Sequence, residues 1–147
     1  MYQELVLNND PKSIISETIR TLRTNLQFAS VDKKIKTILI TSSVPGEGKS
    51  FIAANLACAF AQSGSRVLLV DCDIRKGRQH YIFNSHNKSG LSNLLLENVK
   101  EKYMDYIQET RIKNLSVMFR GVTPPNPSEL LGSSKNKELI EILRNEY

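Results

Sequence analysis

The chain has 147 residues, 24% of them charged and 40% hydrophobic, with a formal net charge of +5. That is one domain's worth of sequence with enough apolar content for a real core and no sign of disorder. No apolar run is long enough to cross a bilayer, and the polar N-terminus lacks the apolar stretch of a signal peptide. Basic residues fall in small groups, Lys33, Lys34 and Lys36 and then Arg75, Lys76 and Arg78, without interleaved aromatics. They read as a solvated face and not as a nucleic-acid stripe. Cys58 and Cys72 show neither metal spacing nor a disulfide pattern, which fits a reducing cytoplasm.

Residues 1–9 carry no strong pattern and read as an extended arm. Asp10-Pro11 reads as the cap and first position of a helix over 10–30, since aspartate accepts from orphan N–H groups and proline lacks one. Ile15, Ile19, Leu22, Leu26 and Ala29 recur there at helical spacing. Glu17, Arg20 and Arg23, three apart each time, form a charged stripe on the other side. Such a stripe makes either ion pairs on its own helix, worth roughly a few tenths of a kcal/mol, or a contact with another subunit. On the residues alone the first reading wins.

Residues 36–42 are apolar enough for a strand buried on both faces. They run into Ser43-Val44-Pro45-Gly46-Glu47-Gly48-Lys49-Ser50, which opens into an alanine-rich helix over 49–63. Strand, glycine-containing turn and helix in that order make a P-loop. The glycines let successive N–H groups line a concavity, and the helix N-terminus adds partial positive charge. Lys49 would reach the outer phosphates of a nucleotide, and the Ser50 hydroxyl would ligand Mg²⁺. The first glycine of the usual pattern is Ser43 here. Ser43, Pro45, Gly46, Glu47, Gly48, Lys49, Ser50 and Phe51 are the candidate nucleotide-binding residues.

The helix buries Ile52, Leu56, Ala57 and Phe60, and Gly64 stops it. Residues 67–70 form a second strand that ends in Asp71-Cys72-Asp73-Ile74-Arg75. Carboxylates at the C-terminal end of a strand stand in the crevice where α/β sheets bind ligands, and alternation points Asp71 and Asp73 to one side. Together with Lys49 they suggest phosphoryl transfer, one carboxylate serving Mg²⁺ and the other accepting a proton; the plainer role is capping the next turn. His80 and His86, in a polar loop over 76–90, have no partner at metal spacing and are assigned no role. Short helices follow over 91–96 and 100–109, then a third strand over 115–119 and a rigid turn over 121–127. Asn126 or Ser128 caps a turn carrying Leu130 and Leu131, and a helix over 135–145 turns Leu139, Ile142 and Leu143 inward. The alternation predicts an α/β fold, a P-loop NTPase-type parallel sheet flanked by helices.

Four segments, in order, resemble the bacterial tyrosine kinases of capsule and exopolysaccharide synthesis, the CpsD/CapB group. They are the E-x-x-R-x-x-R helix (Glu17, Arg20, Arg23), the T-S-x-x-P-G-E-G-K-S loop, the D-x-D-x-R segment (Asp71, Asp73, Arg75) and the P-P-N-P-S-E-L-L block over 124–131. The resemblance implies ATP- and Mg²⁺-dependent autophosphorylation on tyrosine. It assigns Lys49, Asp71 and Asp73 to catalysis, with Asp71 as base for the tyrosine hydroxyl, Ser50 and Asp73 on the metal, and Arg75 beside the nucleotide. It turns Glu17, Arg20 and Arg23 into the contact of a ring-type homo-oligomer. It also implies protein tyrosine substrates and an activating partner, the cytoplasmic tail of a membrane polysaccharide co-polymerase, which holds the kinase at the inner face of the cell membrane. Gly77 stands where the family usually has proline, a minor departure. The family's Walker B strand and tyrosine cluster are expected beyond Tyr147, so the sheet is expected to stop short of the Walker B strand and to expose a strand edge.

Two other readings compete. A MinD/ParA-like ATPase switch is the nearest rival; that group carries an extra lysine at the start of its loop, where this chain has Val44. The other is a non-catalytic module that binds nucleotide or oligomerises through Glu17, Arg20 and Arg23.

Overall fold

The computed structural model describes residues 4–29 and 35–147. The first three residues of the expected arm, Ser30 at the expected helix end, and Lys33 and Lys34 lie outside the described residues. Two short helical elements open the chain: α1 (Val6–Asn9) and the longer α2 (Ile14–Phe28). The P-loop leads into α3 (Lys49–Gln62), then β1 (Val67–Val70) and α4 (Gln79–Ile82). After these come α5 (Leu91–Leu94), α6 (Val99–Lys102), a 3₁₀ turn (Tyr103–Tyr106), β2 (Gln108–Glu109) and β3 (Leu115–Met118). The chain finishes in α7 (Pro127–Gly132) and α8 (Ser134–Glu146).

Among the described residues the sheet has the order β1-β3-β2. β1 and β3 pair in parallel, Val67 opposite Leu115 through Val70 opposite Met118. β2 pairs antiparallel with β3, so the sheet is mixed where the sequence predicts a parallel one. Residues 100–109, read as one helix, divide instead into α6, the 3₁₀ turn and β2.

Side-chain alternation along the strands sorts the core onto two faces. Val67, Leu69, Leu115 and Val117 pack with Leu5, Leu7, Ile19, Ile82 and the buried residues of α3. Leu68, Val70 and Met118 pack on the opposite side with Leu91, Leu94, Val99 and Leu139 of α5, α6 and α8. The result is helix, sheet and helix in three layers, the solution that hides both faces of a sheet.

α3 is buried almost all round: Ala54 through Ala59 and Ala61 are all buried, a wider face than the expected Ile52, Leu56, Ala57 and Phe60. It ends as its glycine predicts. Gly64 takes a left-handed φ of 97°, its N–H donates to the Ala61 carbonyl, and the Ser65 N–H reaches back to Phe60. That bond pair satisfies the last orphan carbonyls.

The N-terminal segment is not a free arm. Leu5 and Leu7 are fully buried, and Asn55 of α3 clamps the segment. The Asn55 side-chain amide donates to the carbonyls of Glu4 (2.9 Å) and Phe51 (3.0 Å), and its oxygen accepts from the Leu7 N–H (3.5 Å). The cap of α2 also differs from expectation. Ser13, and not Asp10, takes the cap position, its hydroxyl accepting from the Ser16 N–H, so the helix begins at Ile14. Only Ser16 and Ile19 of α2 are buried, while Ile14 is 86% and Phe28 77% exposed.

Residues 36–42 form no strand. They carry no regular element and no ladder partner among the described residues, and Leu39 is 81% exposed. An apolar run becomes a strand only when a neighbour supplies the hydrogen bonds. No helix among the described residues is long and apolar enough to cross a membrane.

Asn55 is fully buried and fully partnered, so Asn55→Leu strips the Glu4 and Leu7 backbone groups of their partner. A loss of about 1–3 kcal/mol is expected from urea denaturation. An unchanged midpoint would show that the clamp contributes nothing.

Candidate functional site

The turn between residues 43 and 48 works through two glycines. Gly46 and Gly48 both have φ of 89°, a left-handed conformation that side-chain-bearing residues avoid, and nothing crowds either Cα. Gly48 is also the cap of α3 and offers no side-chain acceptor. The first-turn N–H groups of α3 are therefore left to an external acceptor, with the positive end of the helix behind them. The loop borders an open cleft of about 410 Å³ lined by residues 40–43, Glu47, Lys49 and Ile52. These features fit a phosphate group.

The second half of the site comes from the end of β1. The Asp71 N–H still bonds to the Met118 carbonyl, and the chain then leaves the sheet. Asp71 itself turns inward and is only 6% exposed. One carboxylate oxygen accepts the Asp73 N–H at 3.2 Å and the other the Gln79 N–H at 3.1 Å. Burial pushes this carboxyl up to about 6, against the pull of those two N–H groups. Asp73 is more open and meets two donors, the Lys76 N–H at 2.9 Å and the Lys49 ammonium at 2.9 Å. Burial works against its charged form, but the Lys76 N–H and the ammonium outweigh it and hold Asp73 below the usual carboxylate range. Both aspartates thus cap the turn that follows, and Asp73 in addition ties that turn to the P-loop.

Gly77 makes this closure possible. A Cβ on it would lie 2.5 Å from both carboxylate oxygens of Asp71 and 2.6 Å from the Asp73 carbonyl. The glycine at this position is therefore a packing requirement of Asp71 in this chain and not an incidental departure. Arg75 donates to the Ser128 hydroxyl at 3.1 Å, joining the D-x-D-x-R segment to the proline-rich block. The Ser50 carbonyl accepts from the Gln79 side-chain amide at 3.1 Å. Gln79 was not singled out from the sequence, yet its backbone holds Asp71 and its side chain holds Ser50. No motif marks it, because its role depends on where the loop returns. His80 is buried as well, its ring tilted 39° against that of Tyr81 with centroids 4.0 Å apart, and Nδ1 meets no partner.

The stripe on α2 lies apart from this site. Arg20 donates to the Glu17 carboxylate and to the Pro11 carbonyl (2.8 Å), and Arg23 to the Thr24 hydroxyl (3.3 Å). Within the single chain only the Arg20–Glu17 pair is the i,i+3 ion pair that helical spacing predicts, and Arg23 makes no ion pair among the described residues.

The comparisons agree with this geometry. A family model, the CobQ/CobB/MinD/ParA nucleotide binding domain, matches residues 38–123. CapB of Staphylococcus aureus is 48% identical over 143 residues, covering 97% of this chain and 62% of that protein. The tyrosine-protein kinase YwqD of Bacillus subtilis is 48% identical over 139 residues, covering 95% of this chain and 58% of that protein. The crystal structure of the chimerical protein CapA2B2 superposes with a TM-score of 0.92 at 48% identity, covering 100% of this chain and 64% of that one. The chain therefore spans about three fifths of the length of these three relatives, and the resemblance to bacterial tyrosine kinases of the CapB type is borne out.

The raised Asp71 carboxyl has a consequence for stability. Its folded value near 6 lies above the reference 3.8, so between those limits the folded chain holds a proton the unfolded chain has released. The stability Asp71 contributes is full below that window and is lost as pH rises through about 6. Relative to wild type, Asp71→Asn is expected to gain in urea midpoint as pH rises from 4 to 7. A difference that stays flat with pH would refute the raised value.

Proposed function

The chain belongs to the CobQ/CobB/MinD/ParA nucleotide-binding family, and from that premise we propose that it is the ATP-binding portion of a bacterial protein-tyrosine kinase of capsule or exopolysaccharide synthesis. The observation that carries this reading is the 2.9 Å pair between Lys49 and Asp73, which brings the P-loop lysine and the strand-end carboxylates into one site. Lys49 exchanges Asp73 for the outer phosphates of ATP, and the loop N–H groups with the N-terminus of α3 hold the rest of the chain of phosphates. Ser50 and Asp73 would hold Mg²⁺, which when bound would neutralise charge on the phosphates. Asp71, next to them and with a carboxyl poised near neutrality, accepts the proton of the tyrosine hydroxyl. Arg75, held by Ser128, keeps the segment in place beside the nucleotide.

The α2 stripe, Glu17, Arg20 and Arg23, is the contact of a ring-type homo-oligomer in this reading. The exposed apolar residues Ile14 and Phe28 on the same helix support a covered surface. The activating partner is the cytoplasmic tail of a membrane polysaccharide co-polymerase, which keeps the protein at the inner face of the membrane. Alanine at all three stripe positions is expected to give a monomer in analytical ultracentrifugation; unchanged association would remove the stripe from the interface.

Catalysis is tested with γ-labelled ATP, Mg²⁺ and a tyrosine-rich peptide, using Lys49→Met as control. Label on tyrosine, lost in the control, establishes a competent kinase core. No label with retained ADP binding leaves a nucleotide-binding portion whose transfer step needs more of the sequence its relatives carry. Lys49→Met is expected to weaken ADP by at least about tenfold, since a hydrogen bond to a charged group contributes roughly 1.5–3 kcal/mol. Wild-type ADP binding too weak to measure would defeat the nucleotide reading.

A further inference from the structure

Glu47 lies inside the P-loop, yet its carboxylate faces back into the loop's own backbone. One oxygen, Oε2, accepts the N–H of Ser43 at 3.0 Å and of Val44 at 3.3 Å. The side chain thus closes the turn from its last residues to its first. Ser42 adds a second closure, its hydroxyl donating to the Val44 carbonyl at 3.1 Å. Ser43 occupies the position where the usual pattern has a glycine, so this end of the loop carries a side chain that must be accommodated.

A carboxylate on loop amides has two meanings of opposite sign. It either sits where a phosphate belongs and blocks it, or it holds the loop open from outside the phosphate position. The lysine decides between them. A carboxylate in the phosphate position would draw the Lys49 ammonium, which is the group that follows phosphate charge. Lys49 pairs instead with Asp73, and no Glu47–Lys49 ion pair occurs among the described residues. The N–H groups of the first turn of α3 also keep no side-chain acceptor. Glu47 therefore occupies the N–H groups at the start of the loop and leaves those at its end free.

We propose that Glu47 is a positioning residue that pre-forms the P-loop for the phosphates of a nucleoside diphosphate or triphosphate. The inference rests on the nucleotide reading above and assigns the Glu47 carboxylate, on the wall of the cleft it lines, the role of shaping the loop. Loop order achieved before binding is an entropy cost that the ligand no longer meets, so removing the brace weakens affinity. Glutamine keeps an acceptor oxygen at the same reach and preserves most of the brace; alanine does not.

The test compares wild type, Glu47→Gln and Glu47→Ala by calorimetric titration with Mg²⁺-ADP, alongside amide hydrogen exchange of Ser43 and Val44 without ligand. Expected are a loss of roughly tenfold in affinity for the alanine variant, retention within about threefold for the glutamine variant, and faster exchange at both amides in the alanine variant alone. Tighter binding by the alanine variant would show that Glu47 blocks the site and would overturn the proposal. Equal affinity in all three proteins, or exchange indifferent to Glu47, would overturn it as well. Absence of ADP binding in the wild type defeats the nucleotide reading itself. The exchange data, which need no ligand, tell that failure apart from failure of the brace.

Discussion

A carboxylate leaves water only where N–H groups take its place, and burying Asp71 imposes that condition on everything at the end of β1. The strand delivers the side chain inward, and the chain must then turn back so that the amides of Asp73 and Gln79 can reach it. The return passes so close that position 77 has no room for a side chain. Once the turn is closed, Gln79 lands beside the start of α3 and its side chain engages Ser50. One buried acid therefore sets the spacing between the strand end and the P-loop helix.

The same turn settles how the two aspartates divide their work. Asp71 loses its water and rises toward neutrality, while Asp73, a little further out, keeps its charge by pairing with Lys49. Two carboxyls two residues apart thus stand on opposite sides of the usual value because one faces the core and the other an ammonium. Such a split is the pattern that lets neighbouring carboxyls take different roles. Arg75 and Ser128 extend the arrangement to the proline-rich block, which is otherwise remote in the chain.

Much of this was legible in the residues, for reasons that differ by element. The glycines of the P-loop and Gly64 report backbone conformations that few other residues adopt, and each occurs where expected. The apolar run of β1 and the glycine that stops α3 depend on local chemistry and could be read locally, whereas the Ser133 cap of α8 was not anticipated. Residues 36–42 could not, because composition records the wish of a segment to pair and says nothing of whether a neighbour is present. The cap of α2 was misplaced because Asp10 and Ser13 both suit that position, and only the bonds of Ser13 and Ser16 decide between them. Asn55, Gln79 and Gly77 act through chain segments that tertiary structure brings to them, so no spacing pattern announces any of the three.

The bare edge of β1 has a further meaning. β1 bonds to β3 on one side alone among the described residues, and the irregular run over 35–40 likewise has no ladder. That run feeds directly into the phosphate loop, and its far end is tethered lightly, Lys36 donating to the Arg144 carbonyl at 2.7 Å. A strand docking on this edge would stiffen the root of the loop. By thermodynamic reciprocity, a ligand that ordered the loop would strengthen the docking of that strand by the same factor. Sheet growth and ligand capture would then be two readings of a single equilibrium.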